Sequence, residues 1–322
     1  MLREWLKDFR SWWRRPSVFI ETLRAELPAP VQAVAVSTPP RRLTRVILSD
    51  GVARTLFEDY AEHRRTPRGD EEIGWVLLGW RHPGEAIALA ALPAGTQRDA
   101  GVAHVRFDSD AQALASRIVR QKDKRLQILG VVHTHPGNMR HPSHADLEGD
   151  RAWVGQLRDG VGIFGIGTAD ARSADANGDT HVLGDLCFSW YALGVGENSY
   201  RPLPAQVEPG PDLARPLRAV WNVIESHAVA VNKLCRQFAK VQLDVIDEGP
   251  AKLLAVKIAL AESGQQIRLL LNDREARYYW DMADELIAID PCEPHLERAV
   301  YLILAELAKE PDAKRSRMLV ES

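Results

Sequence analysis

Short apolar runs alternate with amphipathic stretches along the middle of the chain. The runs at 73–80 (IGWVLLGW) and 126–133 (LQILGVVH) are too brief for helices and predict buried strands. Apolar positions with helical spacing predict helices at 51–63, 108–121 and 145–157. Further strand-like runs lie at 44–48, 86–92, 102–107, 160–168 and 183–193. The pattern predicts an α/β (α+β) fold in which a mixed sheet is flanked by helices.

A second pattern occupies the last hundred residues. Residues 217–238 carry apolar side chains at helical spacing, and strand-like runs follow at 241–246, 253–261 and 267–271. Two more helices are predicted near 274–289 and 295–309. The order of one helix, three strands and two helices indicates a smaller α+β domain.

Two proline-rich stretches, 28–40 and 202–216, separate these patterns. Proline removes backbone donors and stiffens the chain, so both stretches are interpreted as linkers. The predicted domains are an amphipathic N-terminal arm and linker at 1–40, a catalytic domain at 41–203, a proline-rich linker at 204–215 and an accessory domain at 216–322. In the arm, aromatic and basic residues lie on different sides of a predicted helix, which favours packing on the protein body over binding to a membrane surface or a partner.

Composition and charge exclude several classes of function. The chain has 41 basic and 44 acidic residues, and these are intermixed, so it lacks the clustered basic field that nucleic-acid binding requires. Its three cysteines are far apart, which excludes a disulfide framework and a cysteine-rich zinc site and favours the reducing cytoplasm. No run approaches 18 apolar residues, so no transmembrane segment is expected.

The candidate chemistry lies directly after the second buried strand. His133 and His135 are two residues apart, so both imidazoles are expected on one side of the strand. Asp146 follows at the beginning of the next predicted helix, and two imidazoles with one carboxylate suit a catalytic zinc whose fourth position holds water. Ser143 lies at the mouth of the same helix, where its hydroxyl can donate to an oxyanion. Ser143 and Asp146 also have the spacing of an ordinary capping box.

The spacing of these residues resembles the JAMM signature of the JAB/MPN+ zinc metalloproteases. The segment 133–136 reads His-Thr-His-Pro, seven residues separate the second histidine from Ser143, and two more lead to Asp146. Upstream, Glu72 precedes an apolar strand that ends in Leu-Gly, which is similar to the bacterial, prokaryotic-JAB form of the family. The resemblance covers about 41–195. It implies a Zn²⁺ held by His133, His135 and Asp146, with Glu72 and Ser143 as the catalytic pair.

Glu71 and Glu72 compete for the role of base. Adjacent residues of a strand point to opposite faces, so only one of them can reach the metal. Counting back seven residues from Gly79, as in the family, selects Glu72. The resemblance then implies that Glu72 takes a proton from a zinc-bound water, whose hydroxide attacks the carbonyl, and passes it to the leaving amine. The nearby histidines are assigned surface or supporting roles: His104, His141 and His144.

The resemblance implies a deubiquitinase-like peptidase or isopeptidase that removes or processes a ubiquitin-like protein. Relatives accompany homologues of activating and conjugating enzymes in bacterial conjugation systems, so these are the expected partners. The alternatives are a sulfur-carrier processing enzyme or small-molecule amidase on the same scaffold, and a non-enzymatic MPN scaffold. The intact five-residue set disfavours the scaffold. A DNA-repair protein of the RadC kind would carry His-Asn-His-Pro, and an iron oxygenase would present its ligands from an all-β barrel.

The order of elements in the accessory domain is similar to that of the conjugating-enzyme and RWD modules. Cys235 lies inside the first predicted helix and Cys292 between the last two. Neither position suits the nucleophile of a conjugating enzyme. We therefore predict a non-catalytic module that binds a partner or substrate.

Overall fold

The computed structural model describes residues 42–95, 100–101, 104–105, 107–171, 180–248, 251–260, 264–282 and 285–309. The predicted helix of the arm and most of the loop after Asp170 lie outside these residues. The chain divides between Arg218 and Ala219 into two compact units, which we describe separately.

The first unit is built on a large mixed sheet. Its described strands are β1 (Arg45–Ser49), β2 (Gly74–His82), β3 (Glu85–Pro93), β6 (Gln127–Thr134), β7 (Val161–Thr168), β8 (Thr180–Leu183), β9 (Leu186–Gly194), β10 (Arg201–Pro202) and β11 (Ala205–Glu208). Their order in the sheet is β10-β9-β7-β6-β2-β3-β1-β11, and β8 pairs with β9. Two very short strands, β4 (Ala100–Gly101) and β5 (His104–Val105), pair with each other in a separate two-stranded sheet, where one longer strand was predicted. Antiparallel pairing joins β2 to β3 and β6, whereas β6 runs parallel to β7. The predicted mixed sheet is confirmed.

Within the described part of this unit, three helices flank the sheet: α1 (Asp50–His63), α2 (Ser109–Lys122) and α3 (His144–Val154). Each begins at a side chain that accepts from the open N–H groups of its first turn, namely Ser49, Asp108 and Ser143. Between α1 and the sheet, the ring of Phe188 packs edge-on against Phe57 and Trp75. This buried aromatic group holds α1 against the strands that lead to the candidate site.

The proline-rich stretch predicted as a linker contains a strand. β11 pairs in parallel with β1, with Val46 opposite Ala205. Asp212 is buried and accepts hydrogen bonds from Thr55 Oγ1 at 2.7 Å and from the amide of Ala91 at 3.3 Å. The prolines do not prevent this pairing, because Pro204 and Pro209 flank β11 and none lies within it.

The second unit is an antiparallel sheet with two helices. Its described elements are α4 (Trp221–Gln237), β12 (Val241–Glu248), β13 (Ala251–Ala259), β14 (Gln266–Leu271), β15 (Ala276–Met282), β16 (Glu285–Ile289) and α5 (Leu296–Lys309). The five strands pair in chain order. The helix predicted near 274–289 is wrong, since this segment forms β15 and β16. Tyr278 is buried in β15 opposite Leu269, as expected for an aromatic residue on a pleated surface.

A short 3-10 helix, Arg215–Val220, precedes α4. Among the residues that the structure describes, no helix has both the length and the apolar character that a membrane crossing requires.

Candidate metal centre

Strand β6 delivers two imidazoles to one place. His133 lies one residue before the end of β6 and His135 one residue after it, and both side chains are buried. Their Nε2 atoms are 3.0 Å apart. The amide of His135 donates to the carbonyl of Gly167 at 2.8 Å, so the bonding to β7 continues one residue past the end of β6.

Helix α3 brings a carboxylate to the same place. Asp146 Oδ1 lies 3.5 Å from Nε2 of His133, and Oδ2 lies 3.4 Å from Nε2 of His135. One ligand atom from each of the three residues lies within 4.8 Å of the others. The first turn of a helix and the end of a neighbouring strand therefore converge on a single point.

Ser143 and Asp146 also form the capping box that was expected as their alternative role. The capping box and the approach of Asp146 to the histidines occur together. Ser143 Oγ accepts from the amide of Asp146 at 3.1 Å, and Asp146 Oδ2 accepts from the amide of Ser143 at 2.6 Å. The two roles are compatible because a carboxylate accepts several hydrogen bonds at once. The cap holds the Asp146 side chain in the orientation that faces the histidines.

The tautomer of His135 follows from its second ring nitrogen. Nδ1 lies 2.8 Å from the carbonyl oxygen of Met139. A carbonyl can only accept, so Nδ1 carries the hydrogen and the lone pair of Nε2 faces the cluster when the ring is neutral. This arrangement orients a metal-binding imidazole in the usual way.

The charges of the cluster favour a cation. Burial raises the pKa of Asp146, but its contacts with His133, His135 and Ser143 outweigh this effect and hold that pKa well below its usual range. Burial lowers the pKa of His133, yet the hydrogen bond and charge of Asp146, with a contribution from Glu72, raise it to about 9. The negative charges of Asp146 and Glu72 that favour a proton on His133 also favour a metal cation at the same place. Two imidazoles and one carboxylate fit a Zn²⁺ that keeps one position open.

Glu72 and Glu71 have different surroundings. Gly74 pairs with His133 across β2 and β6, and continuing that register places Glu72 opposite His135 on the same face of the sheet. Glu72 is only 5% exposed, whereas Glu71 accepts from Arg68 Nε at 2.7 Å in a surface ion pair. These positions favour Glu72 as the acid that faces the cluster.

Two tyrosines support the segment that carries Ser143 and Asp146, and the sequence did not reveal them. Tyr191 donates to the carbonyl of Arg140 at 3.0 Å and lies 2.9 Å from His141 Nδ1. Tyr200 donates to Oδ2 of Asp150 at 2.7 Å. Each tyrosine is about fifty residues from its partner, so only the fold brings them together.

Asp150 is a second buried carboxyl group of α3. Burial, partly opposed by the hydrogen bond from Tyr200, raises the pKa of Asp150 to about 7. Its position one helical turn after Asp146 was a visible signal, because residues four apart share one face of a helix. His144, at the first position of α3, is exposed and lies 3.8 Å from Glu148.

Residues 54–183 match the family described as prokaryotic homologs of the JAB domain. This part of the chain is a JAB/MPN domain. The match confirms the resemblance found in the sequence, and the five residues of the candidate site lie inside it. The JAB/MPN superfamily includes hydrolases.

Two solved structures are similar to the JAB/MPN domain. One is the solution structure of a protein from Desulfitobacterium hafniense, with 14% identity over 52% of this chain and 94% of that chain and a TM-score of 0.35. The other is a JAB1/MPN domain protein from Archaeoglobus fulgidus, with 14% identity over 52% of this chain and 98% of that chain and a TM-score of 0.27. No curated protein matches the chain.

Proposed function

We propose that this JAB/MPN domain is a zinc-dependent peptidase or isopeptidase that cuts after the carboxyl end of a ubiquitin-like protein. The observation that carries the proposal is the convergence of His133, His135 and Asp146 within 4.8 Å, with the buried Glu72 two residues before Gly74, the partner of His133 across β2 and β6. Acidic side chains are seldom buried unless they are paired, so a buried glutamate beside these residues is not expected of an ordinary surface cluster of polar groups. The five residues also have the order and spacing of the JAMM signature.

Each residue has a role that follows from its surroundings. His133, His135 and Asp146 would hold the metal through two Nε2 atoms and a carboxylate oxygen. When bound, Zn²⁺ supplies a Lewis acid that lowers the pKa of water toward about 7 and polarises a carbonyl. Glu72, buried beside the histidines, accepts a proton from the attacking water and returns it to the leaving amine.

Ser143 completes this assignment as an oxyanion donor. Its Oγ accepts from the amide of Asp146, so the hydroxyl is anchored at the edge of the cluster. The hydroxyl keeps one hydrogen to donate, either to the Asp146 carboxylate or to a substrate oxygen. Turning that donor to the oxygen of the scissile carbonyl stabilises the charge that develops there.

The burial of the site favours a narrow substrate. His133, His135 and Glu72 are each at most 8% exposed, so a bulky folded surface cannot approach them closely. An extended tail that ends in glycines fits such a site, because glycine lets the backbone approach without a side chain. A ubiquitin-like protein with a Gly-Gly end, released from a short extension or from a lysine, has this shape.

The proposed substrate also suggests which partners the protein has and where it acts. We expect homologues of activating and conjugating enzymes as partners in the bacterial cytoplasm. We assign the second unit, whose five-stranded sheet and two helices carry no part of the proposed cluster, to capture of substrate or partner.

The test uses the full-length protein purified with zinc. It is incubated with a ubiquitin-like protein fused through Gly-Gly to a short extension, and the products are identified by mass spectrometry. Cleavage directly after Gly-Gly that stops on chelation and returns with zinc supports the proposal. A protein that binds zinc, leaves the fusion intact and hydrolyses simple amides would replace it with the small-molecule amidase, and one that does neither would replace it with a non-enzymatic scaffold.

A further inference from the structure

Thr134 separates the two histidines of the cluster and faces away from them. Alternation along β6 places its side chain on the face opposite to the imidazoles. The side chain is 1% exposed, so it lies in the interior of the domain. A buried hydroxyl needs a hydrogen-bonding partner, and the identity of that partner suggests its role.

The partner is the backbone of the strand that carries Glu72. The amide of Thr134 donates to the carbonyl of Ile73 at 2.9 Å. In a regular antiparallel ladder, the amide of Ile73 would donate in return to the backbone carbonyl of Thr134. It donates instead to Thr134 Oγ1, at 3.0 Å.

The Thr134 side-chain oxygen takes the place of the backbone oxygen at the point where the pairing of β6 with β2 ends. The last register pair of β2 and β6 is Gly74 with His133, whereas the next amide, that of His135, still donates to Gly167 of β7, the partner of Thr134. The threonine hydroxyl therefore completes the ladder at its last position. Without it, the buried amide of Ile73 would have no acceptor at this position.

The same threonine is also fixed by its methyl group. A Cβ placed on Gly167 would lie 3.0 Å from Thr134 Cγ2, so the glycine leaves the space that this methyl occupies. Methyl and hydroxyl together hold one rotamer, with Oγ1 directed at Ile73. Ile73 is bonded through both its amide and its carbonyl, and Glu72 is the residue directly before it.

We propose that Thr134 is a positioning residue whose hydroxyl fixes the backbone at Ile73 and thereby sets the Glu72 carboxylate relative to His133 and His135. The inference rests on the proposed function, in which Glu72 is the base. A base must lie within hydrogen-bond reach of the proton that it takes, and a misplacement of about 1 Å lowers the rate by about 10²-fold.

The test compares variants of the full-length, zinc-loaded protein on the Gly-Gly fusion. Thr134→Val keeps the shape and removes the acceptor, and we expect kcat to fall about 10- to 100-fold with KM and zinc content nearly unchanged. Thr134→Ser and Thr134→Ala both lack the methyl and differ only in the hydroxyl, so their ratio isolates it. We expect the serine variant to stay within about 3-fold of the wild-type kcat and the alanine variant to match the valine variant.

A second readout reports the geometry directly. Hydrogen exchange of the Ile73 amide, followed by NMR, should be faster in the valine and alanine variants than in the serine variant. The matched control is Thr55→Val, which removes another buried threonine hydroxyl, bonded to Asp212 on the side of α1. This control should lose stability without a change in kcat.

The outcomes separate the two claims. Wild-type kcat in Thr134→Val, or equal loss in the serine and alanine variants, would overturn the positioning role and leave the proposed function intact. A wild-type protein that binds zinc and never cleaves the fusion would overturn the proposed function, and the positioning role with it.

Discussion

Asp146 and Ser143 hold each other at the beginning of α3. The Asp146 carboxylate accepts from the amide of Ser143 at 2.6 Å, and the Ser143 hydroxyl accepts from the amide of Asp146 at 3.1 Å. Asp146 is thus both the proposed metal ligand and part of the cap of α3. The orientation of this ligand and the stability of α3 therefore depend on the same two side chains.

Replacing Ser143 by alanine should affect stability and turnover together. Loss of an N-cap lowers the free energy of unfolding by about 0.5–2 kcal/mol, and loss of an oxyanion donor lowers kcat by about 10²–10³-fold. Urea unfolding and cleavage of the Gly-Gly fusion measure the two effects. Ser49→Ala, which removes the corresponding cap of α1, is the control and should lower stability alone. Equal loss of kcat in both variants would show that Ser143 acts only through the fold.

Alanine at His133, His135 or Asp146 should abolish zinc binding, because each removes one of three ligands. Elemental analysis of purified protein and the rise of Tm on zinc addition measure it. His144→Ala changes an exposed histidine two residues before Asp146 and should retain the metal. If all three single alanine variants bound zinc as the wild type does, the metal would have to lie elsewhere.

The spacing of residues along the chain was enough to predict most of the candidate site, because the proposed ligands lie at the end of one buried strand and in the first turn of one helix. The bond from Ile73 to Thr134 and the tyrosine contacts depend on strand register and on residues far apart in sequence, so no local pattern reveals them. The core strands β2 and β6 were predicted because their apolar runs are continuous. β11 was missed because prolines flank it, and β15 and β16 because their charged and aromatic residues have no clear period.

The metal-free protein should show a pH dependence that comes from Asp150. Burial raises its pKa from 3.8 to about 7 in the folded protein, so the native state binds a proton that the unfolded chain releases. The stability from this group is complete below about pH 4 and is lost as the pH rises to 7, by up to about 1.4 kcal/mol per pH unit. Asp150→Asn cannot titrate and keeps an acceptor for Tyr200.

The difference in unfolding free energy between Asp150→Asn and the wild type isolates this effect. Urea titrations with chelator at pH 4.5 and 7.5 should show the variant gaining relative to the wild type at the higher pH. A difference that is the same at both pH values would mean that Asp150 is ionised throughout, in contact with a cation or with charged His133.

The assignment of Glu72 is tested most directly by its amide variant. Glu72→Gln keeps the size of the side chain and removes the proton acceptor, and Glu71→Gln makes the same change in the adjacent surface ion pair. With both proteins loaded with zinc and tested in single turnover on the Gly-Gly fusion, the account predicts that Glu72→Gln retains zinc and loses about 10²–10⁴-fold in rate, while Glu71→Gln cleaves as the wild type does. Full activity in Glu72→Gln, or loss of activity in Glu71→Gln alone, would contradict it.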